Sequence, residues 1–70
     1  MALNFKIETE IEEDGRWIAE AIGLPGVLAY GQDEDEAVRK VEALALRVIA
    51  DRIESEKIPG LRTMSVSFGV

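Results

Sequence analysis

The chain has 70 residues, with 14 acidic side chains against eight basic ones and neither cysteine nor histidine. The missing cysteines exclude disulfides, thiol chemistry and zinc thiolate sites, and the missing histidine removes the commonest general base and metal ligand near neutral pH. A net charge of −6 argues against binding a phosphate backbone and suits a basic partner.

No apolar run approaches the roughly 18 residues of a membrane span, and the N-terminus does not read as a signal peptide. With no cysteine, a cytoplasmic location is expected. The length makes one domain, 1–70, without linker, repeat or low-complexity segment. A chain this small buries roughly 60% of its unfolded surface. Its core supplies on the order of 3–5 kcal/mol without disulfide or metal staples. Self-association is the remaining support, so a homo-oligomer is expected, a dimer most simply or a tetramer.

Leu3 to Ile11 alternates, with Leu3, Phe5, Ile7 and Ile11 on one face and Asn4, Lys6, Glu8 and Glu10 on the other. Thr9 is the weak member of the apolar row. Period two over this length predicts a half-buried strand. Glu12-Glu13-Asp14-Gly15 is a turn, and its type sets the register. A two-residue Asp14-Gly15 loop places Ile18 opposite Ile11. A three-residue loop, Glu13 to Gly15 with a glycine bulge, places Trp17 opposite Ile11 and Ala21 opposite Ile7. The bulge is favoured because it puts the only Trp in the core, with small Ala19 and Ala21 letting a helix approach. The second strand, Arg16 to Ile22, is apolar on both faces in either register. If Trp17, Ala19 and Ala21 face the helix, Ile18 and Ile22 point outward, where branched apolar residues call for a covering partner.

In Gly23-Leu24-Pro25-Gly26, Pro25 suits position i+1 and Gly26 position i+2 of a type II turn. Val27 to Tyr30 is a short third strand ended by Gly31. Asp33 then caps a helix, with Glu36 completing a capping box. The acidic run from Asp33 to Glu36 is what the helix dipole favours in a first turn, and it reads as that rather than as a metal site. Asp35–Arg39 and Glu36–Lys40 are i, i+4 pairs. The helix should run to about Glu56, before Ile58-Pro59-Gly60. Its core stripe is Ala37, Val41, Leu44 and Val48, widened by Val38, Ala45, Ile49 and Ile53. A further apolar row, Ala43, Leu46 and Ala50, exceeds what covering one sheet needs and is the candidate oligomer interface. Leu61 to Phe68 is the last strand, with Met64, Val66 and Phe68 on one face.

The order β-β-β-α-β makes the domain α+β, one helix on a four-stranded sheet. The last strand runs parallel to the first and third, and a right-handed crossover can place it beside either. The helix is expected to pack on Phe5, Ile7, Trp17, Ala19, Val66 and Phe68. A single helix leaves the other sheet face seeking cover.

The run Asp14-Gly15, Trp17-Ile18-Ala19-Glu20, Leu24-Pro25-Gly26, Tyr30-Gly31 and Glu36-Ala37 resembles the HicB-like antitoxin domain, over about two thirds of the chain. The family pattern is an acid and Gly, an aromatic strand, a Leu-Pro-Gly turn, and a Gly before a helix opening with Glu-Ala. This chain departs from it at Ile22 and Gly23, where members often have Pro and an acid, and at Val27 and Asp33. The resemblance implies a partial ribonuclease-H-like fold with the last strand beside the first. Complete antitoxins of this kind usually carry a DNA-binding segment after this domain, and in this the chain departs from them: it is expected to be a short, single-domain form.

Such a fold raises the question of two-metal nuclease chemistry, which needs carboxylates from the first strand, the helix and the last strand. Glu8 or Glu10 and Glu36 or Glu42 could supply two of these, but the last strand carries no acid. No enzyme activity, cofactor or metal is therefore expected. The resemblance implies a binding module that neutralises a small basic toxin of the HicA type, an mRNA-cleaving ribonuclease, by protein–protein contact. The partner-facing candidates are Ile18, Glu20, Ile22, Leu24, Pro25 and Tyr30. The alternative is an orphan oligomeric domain of the same type that binds another cytosolic partner.

Overall fold

The computed structural model describes residues 2–55 and 64–70. Four strands and one helix follow in the order β1 (Ala2–Ile11), β2 (Trp17–Ile22), β3 (Leu28–Gly31), α1 (Glu34–Glu54) and β4 (Ser65–Gly69). The strands form one mixed sheet in the order β3-β2-β1-β4. β4 runs parallel to β1, and the β1–β2 and β2–β3 pairs are antiparallel. Of the two places open to the last strand, it takes the one beside β1. The helix ends at Glu54 with Ser55 as its C-cap, just short of the expected end near Glu56, and β4 begins only after Met64. The Ile58-Pro59-Gly60 stop and the expected strand start at Leu61 lie outside the described residues.

The hairpin register follows from its turn. The Gly15 N–H donates to the Glu12 carbonyl at 3.0 Å and the Glu12 N–H to the Arg16 carbonyl at 2.7 Å, with Gly15 at φ +89°. This is the three-residue loop with a glycine in the left-handed region. It pairs Ile11 with Trp17 and Ile7 with Ala21. The Asp14 carboxylate accepts from the Arg16 backbone N–H and from Arg16 Nε, closing the turn. Those bonds hold the Asp14 carboxyl below its ordinary pKa.

Every odd-numbered residue of the first three strands therefore lies on the helix side of the sheet. Ile7, Ala19 and Ala21 join Ala37, Val41 and Ala45 in the core, with Phe5, Trp17, Ala29 and Phe68 packed against it. Phe5 and Phe68 are register partners, their rings stacked at 6.1 Å between centroids, and they fix β4 against β1 on the helix side. Thr9, the polar member of this row, donates its hydroxyl to Glu34 at 2.8 Å and ties β1 to the first helical turn.

Three packing expectations need correction. Ile11 was placed in the core-facing row but is 56% exposed. It sits on the last rung of the hairpin, while α1 lies chiefly over β2 and β3. Trp17 is half-buried at the edge of the core rather than within it. The fully buried helix row is Ala37, Val41, Ala45 and Ile49, with Leu44 and Val48 on its half-buried flank. The small residues of that row share the core with the small Ala19 and Ala21 of β2.

The helix start is as its sequence requires. Asp33 accepts from the Glu36 N–H at 2.7 Å, and the Glu36 carboxylate reaches back to the Gln32 N–H at 3.0 Å. The Gln32 N–H and then the Lys40 ammonium hold the Glu36 carboxyl below its ordinary pKa. The two i, i+4 ion pairs, Asp35–Arg39 at 3.1 Å and Glu36–Lys40 at 3.4 Å, are both present.

Candidate functional site

The even-numbered residues of β1, β2 and β3 form the second face of the sheet, and among the described residues no element packs on it. The two antiparallel registers set its side chains in rows. Lys6 stands opposite Ile22; Glu8, Glu20 and Leu28 lie side by side; Glu10, Ile18 and Tyr30 make the next row. Arg16 closes the β2–β3 end, its guanidinium 4.6 Å above the Tyr30 ring. Ile22, Leu28 and Tyr30 are each about two-fifths exposed. Large apolar side chains gathered on one open face of so small a domain make it the candidate interaction surface.

Of the six partner-facing candidates, Ile18, Glu20, Ile22 and Tyr30 are brought together on this face. Pro25 is exposed at the tip of the adjoining turn. Leu24 is a correction, because it is 3% exposed and belongs to the core. Two consecutive turns cause this. The Leu24 N–H donates to the Ala21 carbonyl at 3.2 Å and the Val27 N–H to the Leu24 carbonyl at 3.1 Å, with Gly23 and Gly26 at positive φ. The chain thereby doubles back, and Leu24 and Val27 point inward while Pro25 and Gly26 stay in solvent.

Glu8 and Glu10 are on the outward face expected of them, and Leu28 and Arg16 join it unannounced. The signal that finds them is the pair of registers read together, which places Leu28 against Glu20 and Glu20 against Glu8. The three candidates for the oligomer interface lie elsewhere. Ala43, Leu46 and Ala50 are exposed on α1, Leu46 by 48%.

The carboxylates weighed for nuclease chemistry do not converge. Glu8 and Glu10 stand on the uncovered face, while Glu36 and Glu42 belong to the helix packed on the other. Among the described residues no group of three or more acids is placed to hold a metal ion, and no helix is long and apolar enough to cross a membrane. The surface offers apolar contact, carboxylate acceptors and an exposed aromatic ring. No family model matches the chain, and neither does any curated protein or solved structure.

Proposed function

We propose that this chain is a HicB-like, antitoxin-type binding module, of partial ribonuclease-H-like architecture, that neutralises a small basic HicA-type mRNA-cleaving toxin by protein–protein contact. The observation that carries this reading is the uncovered sheet face, with Ile22, Leu28 and Tyr30 exposed and Ile18 half-buried beside Glu8, Glu10 and Glu20. Apolar side chains hold a partner once docked, and the carboxylates on a domain of net charge −6 steer a cationic one towards it. β4 beside β1 agrees with the strand order that the family resemblance implies. The module acts by occupying its partner, without catalysis of its own, in the cytoplasm.

The test is to purify the tagged chain from its own cells, identify any stoichiometric small basic protein bound to it, and express that protein alone. Growth arrest, relieved by co-expressing the chain, is the expected result. Recovery of the chain alone as a closed oligomer would overturn the reading.

A second reading is favoured by a different surface. Leu46, flanked at helical spacing by Ala43 and Ala50, is nearly half exposed on α1. In that reading the chain is an orphan oligomer assembled through this row, and its sheet face binds another cytosolic protein.

A further inference from the structure

Glu20 stands where a carboxylate is costly to cover. On its own strand it lies between Ile18 and Ile22; across β3 it faces Leu28 and across β1 it faces Glu8. Like charges directly opposite on one sheet face repel. The cations native to this face are already engaged, Lys6 with Glu8 at 3.7 Å and Arg16 with Asp14 at 2.7 Å. Any occupant that buries the four apolar residues must also take Glu20, which stands among them, out of water. An uncompensated buried charge is strongly destabilising, so the occupant has to supply a cation there.

A shallow concavity of about 170 Å³ marks the spot, lined by Glu8, Glu10, Ile18, Glu20 and Leu28 together with Thr9. It is smaller than the roughly 300–1,000 Å³ of small-molecule pockets and suits the end of one side chain. Its lining sets the Ile18 and Leu28 side chains beside three carboxylates, which matches a long side chain with an aliphatic stem and a cationic head.

From this arrangement we infer that the open face recognises a partner protein by an arginine seated between Glu8 and Glu20, its stem on Ile18 and Leu28. Arginine fits better than lysine because its planar fork can bond two carboxylates at once and is more weakly hydrated. A second copy of this chain is the poorer occupant, since it would bring three more carboxylates to the same place. The inference deepens the binding-module reading by naming what the partner must present at its centre.

The test uses the full chain, isotope-labelled for NMR, and two blocked pentapeptides, Gly-Leu-Arg-Leu-Gly and its analogue with neutral citrulline in place of arginine. Saturable shifts confined to Glu8, Glu10, Ile18, Glu20 and Leu28 are expected with the arginine peptide. The citrulline peptide should bind about tenfold more weakly, as should the arginine peptide to Glu20→Gln, because each loses a charge-assisted contact. Leu46→Glu should leave binding unchanged. Glu20→Gln also removes the opposed like charges, so its urea midpoint should rise, which separates lost binding from lost folding. Equal binding of the two peptides, shifts centred on Glu12–Asp14 or on the acidic helix start, or no shifts at millimolar peptide would each overturn the inference. So would concentration-dependent shifts of the same face without peptide, which would mean a second copy sits there. Because no toxin is involved, peptide recognition can fail while toxin neutralisation stands, and the reverse.

Discussion

At Gly31 the helix start and the sheet are pressed close together. Its position on β3 pairs with Trp17, so a side chain there would project to the helix side. A Cβ added at Gly31 would lie 2.4 Å from the Ala37 nitrogen and 3.0 Å from both Ala37 Cα and the Asp33 carbonyl oxygen. All three atoms are backbone, so no rotamer change relieves the clash. To restore ordinary contact the first turn of α1 must retreat by about 1 Å, against close packing that tolerates little displacement. Overpacking of this kind costs about 1–3 kcal/mol, and with backbone on both sides Gly31→Ala belongs at the upper end, about 3 kcal/mol. A domain of this length has roughly 4–10 kcal/mol in all, so the substitution removes a large share of it.

In equilibrium urea unfolding followed by Trp17 fluorescence, a slope of about 1–2 kcal/mol/M turns that loss into a midpoint lower by about 1.5–3 M. Gly69→Ala is the control, because it makes the same chemical change on β4 with nothing within 4 Å of the new carbon. Its midpoint should stay within about 0.5 M of the parent, as an uncrowded surface change does. A Gly31→Ala protein that unfolds together with the Gly69→Ala control would refute the close approach and the helix placement that rests on it.

The two leucine-turn neighbours should part company. Leu24→Ala empties a buried site and should cost about 2–4 kcal/mol, lowering the melting temperature by about 10–25 °C for a domain of this size. Ile22→Ala, on the open face, should shift stability by no more than about 0.5 kcal/mol, and a circular-dichroism melt compares the pair directly. Glu36, whose carboxyl is held below its ordinary value of 4.5 by the Gln32 N–H and Lys40, contributes stability that is present above that value. That contribution is lost as pH falls through the lowered folded pKa. The gap in urea midpoint between the parent and Glu36→Gln should therefore be widest near neutrality and close as pH drops below about 4.5. A gap that does not change with pH would contradict the cap geometry.

Much of the fold is legible because local chemistry and long-range pattern agree. The Glu13–Gly15 loop fixes register, the alternation from Leu3 onward fixes which side is buried, and Asp33 with Glu36 fixes where the helix begins. The place of β4 is not legible from patterning, since a strand of alternating Ser and apolar residues fits beside β1 or β3 equally well. Only the family resemblance pointed to β1. Leu24 misleads because it sits between glycines in a turn, where side chains are usually in solvent. Its burial depends on a second turn, Ala21 to Leu24, stacked on the expected one. Ile11 misleads in the opposite sense, because strand periodicity continues past the reach of the helix. The open face was half legible. Ile18, Ile22 and Tyr30 announce themselves as unwanted apolar residues, whereas the Glu8–Glu20–Leu28 row exists only once both strand pairings are known.

The proposed function depends most directly on which surface would meet a partner. The decisive measurement is growth rescue from the proposed basic toxin, co-expressed, by two single variants of the chain, Ile22→Glu on the open sheet face and Leu46→Glu on the outer row of α1. Both are exposed positions, so circular dichroism should show both variants folded. Loss of rescue by Ile22→Glu with rescue retained by Leu46→Glu is the predicted result. Rescue retained by Ile22→Glu and lost with Leu46→Glu would move the binding surface to the helix and contradict the assignment of the open face.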